Sequence, residues 1–127
     1  MTYGTLYNDF AVLFKDKNVQ LEKLIHDANV DTSDGMHIMF SFVVVPFVYI
    51  LLEDNDTVNL KKAFDYFEKM AKSTSSDITE VLEFTVLENL ASGDYDNYNK
   101  FKKFMGKITL ECCKNVERFL DFTDELL

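Results

Sequence analysis

The sequence contains few of the residues that interrupt regular structure, with one proline and four glycines in 127 residues. A β-sandwich or β-barrel needs many short strands joined by turns, and turns favour both of these residues. Their scarcity argues against those folds. Tryptophan is absent, so the bulky side chains for a core come from twelve phenylalanines and six tyrosines.

Cysteine is limited to the adjacent pair Cys112 and Cys113, and no C-x-x-C motif occurs. Neighbouring residues on a helix point about 100° apart, so these two are poorly placed to form a disulfide with each other. The sequence therefore predicts a chain from a reducing compartment, without a disulfide framework.

The sequence also lacks an apolar run of membrane-spanning length. The longest run covers residues 38–52 and includes Ser41 and Pro46, whereas a span needs about 20 apolar residues. The first residues have no basic segment of the kind that begins a signal peptide, and they soon reach Asp9. We therefore expect a cytoplasmic protein with no membrane partner, in which this run forms a buried core helix.

Positive charge is scarce: 13 Lys and Arg stand against 22 Asp and Glu, for a net charge of −9. A chain with this charge repels nucleic acid and anionic lipid and attracts basic partners. The charge predicts that nucleic acid is not a partner. Solubility alone is an alternative explanation for it.

Apolar residues at helical spacing predict seven helices. The clearest pattern runs from Leu60 to Ala71, where every expected position is apolar. The predicted helices are residues 5–16, 18–29, 36–53 and 57–72, one from a cap at Ser76 or Asp77 to a stop at Gly93, one between Asp94 and Gly106, and one over 107–122. The helix over 57–72 is expected to begin after an N-cap at Asp56 or Thr57. The residues expected to face inward are Ile78, Val81, Leu82, Thr85, Val86 and Leu90 on the helix before Gly93, and Ile108, Cys112, Val116, Phe119 and Leu120 on the last helix.

Short connections between these helices predict antiparallel neighbours. The expected fold is a single all-α domain over residues 1–127. We expect a compact stack of about seven antiparallel helices built from αα-hairpins, in a HEAT-like or orthogonal arrangement. Pro46 either kinks the third helix near Ser41 and Phe42 or divides it into two short helices.

No pattern in the sequence indicates catalysis or metal binding. His26 and His37 are eleven residues apart without acidic residues at ligating positions, and the segment from Asp54 to Asp65 has Asn59 where a calcium loop needs glycine. There is no glycine-rich phosphate loop and no G-x-S-x-G motif. We therefore expect no catalytic residues, no metal and no cofactor, and predict that the protein is not an enzyme.

Charge is unevenly distributed along the chain. Residues 73–99 contain six acidic residues and no Lys or Arg, whereas residues 57–72 and 100–107 are net positive. Carboxylates interleaved with aromatic residues suit a surface that docks on a basic protein, because aromatic rings supply anchor area and charge steers the encounter. The alternative is a solvated helix face whose tyrosines flank the core. The predicted partner-binding residues are Glu80, Glu83, Glu88, Asp94, Tyr95, Asp96 and Tyr98.

Three segments, Phe64–Met70, Val81–Leu90 and Lys103–Leu110, resemble small bacterial all-helical proteins. Some members of that group look like immunity proteins encoded beside polymorphic or contact-dependent growth-inhibition toxins. The resemblance covers about two thirds of the chain. It implies a binder that covers the active site of a cognate toxin, commonly a nuclease, and it carries over no active-site motif.

Charge and resemblance together predict an immunity protein that neutralises a cognate toxin nuclease through an acidic surface. A nuclease is basic where it holds phosphate, so an acidic inhibitor can imitate the nucleic acid backbone. The alternative is a helical adaptor or regulatory module, as a monomer or a weak homodimer. A third hypothesis is a thiol-dependent activity at Cys112 or Cys113.

Overall fold

The structure is a computed structural model that describes the backbone of residues 1–126 and the side chains of residues 1–121. The described residues contain no β-strand, so the predicted all-α class is confirmed. The domain predicted over residues 1–127 includes Leu127, which lies outside the described residues.

Seven α-helices account for most of the described chain. They are α1 Leu6–Ala11, α2 Asn18–Ala28, α3 over residues 36–53, α4 Thr57–Ala71, α5 over residues 76–91, α6 Tyr95–Lys102 and α7 Lys107–Leu126. Short 3-10 turns cover Tyr3–Thr5, Val12–Lys17 and Thr32–Asp34. The second of these joins α1 directly to α2, and Phe14 within it leaves helical geometry with φ −122° and ψ 49°.

Helix α3 is continuous, with a π-helical turn over Phe40–Val44 immediately before Pro46. In this wider turn the backbone N–H of Val45 donates to the carbonyl of Phe40, five residues earlier. Proline has no N–H, and its ring clashes with the carbonyl four residues before it, so a widened turn accommodates it. The alternative in which Pro46 divides this segment into two short helices is therefore excluded.

Helix α3 packs against α2, α4 and α5. By length and composition alone it could cross a membrane, since its mean hydropathy is 2.0 over Met36–Glu53. Half of that window is buried inside the protein. Phe47 on this helix contacts the rings of Phe10 and Phe14, at centroid distances of 6.2 and 5.1 Å. The helix therefore contributes directly to the aromatic core.

The aromatic core runs through α4 and joins α1 to α6. Tyr66 packs on Phe10, and its hydroxyl donates a buried hydrogen bond of 2.7 Å to the carbonyl of Leu6. Two residues before Tyr66, Phe64 stacks on Phe101 of α6 with ring centroids 5.7 Å apart. Since buried aromatic pairs add specific geometry to hydrophobic burial, these contacts fix α4 between α1 and α6.

Glu68 of α4 caps the N-terminus of α7. Its carboxylate accepts hydrogen bonds from the backbone N–H of Thr109 at 2.7 Å and of Ile108 at 3.2 Å, and from the Thr109 hydroxyl at 2.8 Å. Burial alone would raise the pKa of Glu68, but these hydrogen bonds outweigh it and hold the pKa below its usual value. A Cβ at Gly106 would overlap this carboxylate, so a larger residue there would displace the Glu68 side chain from the cap.

We predict that Glu68→Gln lowers the free energy of unfolding at pH 7 by about 1 kcal/mol, the usual value of a helix cap. The carboxylate has a depressed pKa in the folded state. Its contribution is therefore present above the unfolded carboxyl pKa of about 4.3 and is lost as pH falls through the folded pKa. Urea unfolding at pH 7 and pH 3 should show the difference between wild type and Glu68→Gln shrinking at the lower pH.

Asp65→Asn is the matched control for this prediction. Asp65 is an exposed carboxylate on the same helix, and its ion pair with Lys61 is solvent-exposed. Such pairs contribute little to stability. An effect of Glu68→Gln no larger than that of Asp65→Asn would show that the contact does not cap α7.

Candidate protein-binding surface

Most of the predicted partner-binding residues lie at the surface of α5 and of the turn that leads into α6. Glu80, Asp94 and Asp96 are exposed, Glu83 and Glu88 are partly exposed, and Tyr95 is 76% exposed. Asp94 also caps α6, because its side chain accepts a hydrogen bond of 2.9 Å from the backbone N–H of Asn97. The opposite face of α5 is buried, as predicted for Val81, Leu82 and Thr85.

The prediction that Tyr98 is a surface anchor is wrong. Tyr98 is only 5% exposed, and its hydroxyl donates to Glu117 Oε1 at 3.0 Å. Lys102 Nζ lies 2.6 Å from the same oxygen and 4.5 Å from the centre of the tyrosine ring. Burial raises the pKa of Tyr98, as do its neighbours Cys113 and Glu117. Tyr98 faces inward because it lies three residues before the core residue Phe101, on the same side of α6.

Helix α5 contains a π-helical segment, Val81–Leu87, that controls where its acidic side chains point. The backbone N–H of Glu88 donates to the carbonyl of Glu83, five residues earlier. In an ordinary α-helix, residues five apart point about 140° away from each other. The wider turn instead places Glu88 one turn above Glu83, so the two carboxylates share a face.

Thr85 connects this segment to the rest of the protein. Its hydroxyl Oγ1 is hydrogen-bonded to His37 Nδ1 of α3 at 2.6 Å. Its carbonyl accepts a hydrogen bond of 2.6 Å from the Asn89 side chain. The buried side of the widened turn is thus tied both to α3 and to the next turn of α5, which leaves Glu83 and Glu88 on the other side.

Glu83 and Glu88 line an apolar groove of about 250 Å³ between α5 and α7, which we call the α5–α7 groove. Phe84 contributes from α5 and is 53% exposed, and Phe119 contributes from α7 and is 50% exposed. The groove residues are Glu83, Phe84, Glu88, Asn115, Val116 and Phe119.

Phe119 was expected on the inner side of α7, and this expectation is wrong. Among the side chains of α7 that the structure describes, residues 107–121, the buried ones are Thr109, Cys112, Cys113 and Val116, so the inner face is rotated away from Phe119. On the α7 side of the groove, Arg118 approaches Asn115 through a weak hydrogen bond of 3.4 Å. The rim of the groove is therefore acidic on α5 and carries one cation close to it on α7.

The two cysteines are buried thiols in an environment that disfavours the thiolate. Cys112 is 8% exposed, and burial together with a hydrogen bond to Glu83 raises its pKa to about 12. Cys113 is 1% exposed, and burial raises its pKa as well. Because the thiolate is the nucleophile, this environment gives no support to a thiol-dependent activity. Within residues 1–121, no group of three or more His, Cys, Asp or Glu side chains could hold a metal ion.

Comparison with known proteins places the chain in one family. Residues 11–121 match the family described as "Domain of unknown function (DUF7674)". The chain belongs to DUF7674. The matched residues run from the end of α1 into α7, so the DUF7674 domain includes every residue of the α5–α7 groove. No curated protein and no solved structure matches the chain.

We predict slow thiol–disulfide exchange at Cys112 and Cys113 in the folded DUF7674 domain. Both thiols are shielded, and a raised pKa keeps them protonated through pH 8. Reaction with a chromogenic disulfide at pH 8 should be at least about tenfold slower in buffer than in denaturing urea. Equal rates in the two solvents would show that a thiol is accessible in the folded protein and would support a thiol-dependent activity.

Proposed function

We propose that this DUF7674 protein is a cytoplasmic immunity protein that binds a cognate toxin nuclease and blocks its active site. The observation that carries the proposal is a set of carboxylates on and after α5 that form no ion pair among the described residues. Residues 73–99 contain no Lys or Arg. Within the described residues, Glu80, Glu83, Glu88, Asp94 and Asp96 form no ion pair.

Uncompensated carboxylates suit a basic partner for a physical reason. Their negative potential reaches into the solvent over about 10 Å at moderate salt, and it accelerates encounters with a positive surface. A nuclease holds phosphates with Lys and Arg, so its active site is such a surface. Binding there would pair the carboxylates with these cations and exclude the nucleic acid substrate.

Exposed aromatic side chains supply the apolar part of the proposed interface. Tyr95 lies directly after Asp94, and Phe84 lies directly after Glu83. Their exposed fractions are 76% and 53%. Interface energy concentrates in a few large side chains that become buried on binding, and tyrosine is among the most frequent of them. We assign the anchor role to Tyr95 and Phe84 in place of Tyr98.

A helical adaptor or regulatory module is the second candidate. It is supported by apolar side chains exposed away from α5, namely Val19 at 81%, Phe42 at 51% and Val58 at 68%. This candidate predicts self-association that grows with protein concentration. A monomer by light scattering across a wide concentration range would argue against the homodimeric version.

The gene beside this one is the first test of the proposal. We expect it to encode a large secreted protein with a basic C-terminal toxin domain. That domain, purified, should bind this chain and lose its nuclease activity in the complex. The absence of any toxin gene beside this one, or a toxin domain that stays active in the presence of excess chain, would contradict the proposal.

The double variant Glu80→Lys plus Asp96→Lys tests the surface. Both residues are exposed and neither caps a helix, so the fold should be unaffected. We expect toxin binding to weaken by at least about tenfold, equivalent to about 1.4 kcal/mol, with a shallower dependence on salt. Titration calorimetry at two salt concentrations measures both effects.

The control is Glu22→Lys plus Asp27→Lys on α2, which changes net charge by the same amount at exposed positions. If net charge alone governed binding, the two double variants would weaken it equally. Equal weakening would therefore show that the acidic surface of α5 is not the binding surface.

A further inference from the structure

We propose that the α5–α7 groove is the specificity pocket of this surface, and that it takes one apolar side chain of a basic amphipathic helix in the partner. This inference rests on the proposed function, because it names the part of the partner that is recognised. The occupant is an aliphatic or aromatic side chain beside two Lys or Arg residues that are themselves three or four residues apart on the same helix.

The size and lining of the groove indicate this class of occupant. Its volume of about 250 Å³ lies below the range of about 300–1,000 Å³ that small-molecule sites usually occupy. Phe84, Val116 and Phe119 provide an apolar lining. A space of this size between two helices suits a single side chain inserted from outside, which is how helices dock in hydrophobic grooves.

The rim of the groove indicates the charge of the occupant. Glu83 and Glu88 are one π turn apart, with the backbone of Glu88 hydrogen-bonded to the carbonyl of Glu83. Their separation along α5 is therefore about one helical turn, roughly 5 Å. Cations spaced three or four residues apart on a facing helix have the same separation. A phosphate-bearing partner would be repelled by both carboxylates, so nucleic acid and anionic lipid do not suit this groove.

The π segment is the device that makes this arrangement possible. With ordinary helical geometry, Glu83 and Glu88 would point about 140° apart, and only one of them could border the groove. The widened turn brings both carboxylates to the groove with Phe84 beside them. Such turns are frequent at functional sites because they redirect side chains without breaking the helix.

A tryptophan reporter tests the inference directly, since the chain contains no tryptophan. Phe84→Trp places the fluorophore in the groove, and Val58→Trp places it at an exposed site on α4 as the control. The probe is a synthetic lysine–leucine amphipathic helix. We expect saturable binding with a blue shift of the emission for Phe84→Trp and none for Val58→Trp. A version of the peptide with glutamine in place of leucine should give no shift.

Neutralising the rim tests the role of the paired carboxylates. In the Phe84→Trp background, Glu83→Gln plus Glu88→Gln should weaken peptide binding by about tenfold or more and flatten its salt dependence. Circular dichroism verifies that each variant is folded. The inference is overturned if the emission does not shift or if Val58→Trp responds equally. It is also overturned if the variant with Glu83→Gln and Glu88→Gln binds the peptide as tightly as the variant that keeps both carboxylates.

Binding of the toxin domain separates this inference from the proposed function. Suppose that Glu80→Lys plus Asp96→Lys abolishes toxin binding, while Phe84→Ser and the double variant Glu83→Gln plus Glu88→Gln leave it unchanged. The groove inference is then wrong and the proposed function stands. If the peptide occupies the groove but no toxin domain is bound, the groove inference stands and the proposed function is wrong.

Discussion

The packing of α3 against α5 is the contact on which the rest of this structure depends. The surface of α3 is largely apolar, which favours its burial against other helices. Its Pro46 has no backbone N–H, and the proline ring crowds the preceding turn. The widened turn before Pro46 resolves that crowding, and it lies against the widened turn of α5. The hydrogen bond between His37 and Thr85 joins the two helices there. These contacts determine which side chains of α5 face the core, and therefore which of them face the solvent.

The other wall of the groove depends on a separate interaction at the far end of the core. Glu68 of α4 holds the first turn of α7, and the lack of a side chain at Gly106 leaves room for its carboxylate. A helix held at its start, with Thr109 and Val116 buried along it, has a defined rotation about its axis. That rotation turns Phe119 towards α5. The geometry of the groove therefore depends on two interactions at distant positions. One is the charged cap that Glu68 provides to α7, and the other is the apolar packing of α3 against α5.

The sequence predicted the helices well because helical periodicity and capping are local properties. α4 was predicted at residues 57–72 and is observed at Thr57–Ala71, with the cap at Asp56 in place. The inward residues of α5 from Ile78 to Leu90 were also predicted correctly, although Leu87 is buried as well. Leu87 escaped prediction because the π segment broadens the buried face, and nothing in residues 81–87 distinguishes a π turn from an α turn.

The candidate site was only partly predictable, because it depends on long-range packing. The acidic and exposed character of Glu80, Asp94, Tyr95 and Asp96 follows from local sequence. The spacing of Tyr98 from Phe101 indicates an inward position, but the hydrogen bond of its hydroxyl to Glu117, nineteen residues away, cannot be predicted from the sequence. Phe119 looked like a core residue because it continues an apolar stripe. Its exposure depends on how α7 is rotated, which is set by contacts with α4 and α5.

The widened turn in α5 also has a consequence for how related proteins can diverge. A π turn contains one residue more than an α turn, so it is equivalent to a single inserted residue. Losing one of residues 84–87 would restore the ordinary period, and Glu83 and Glu88 would then stand four residues apart, which in an α-helix is still one turn along the same face. A relative without the widened turn could therefore keep both carboxylates beside the groove. What it would lose is one of the residues between them, either Phe84 or one of the buried residues Thr85, Val86 and Leu87.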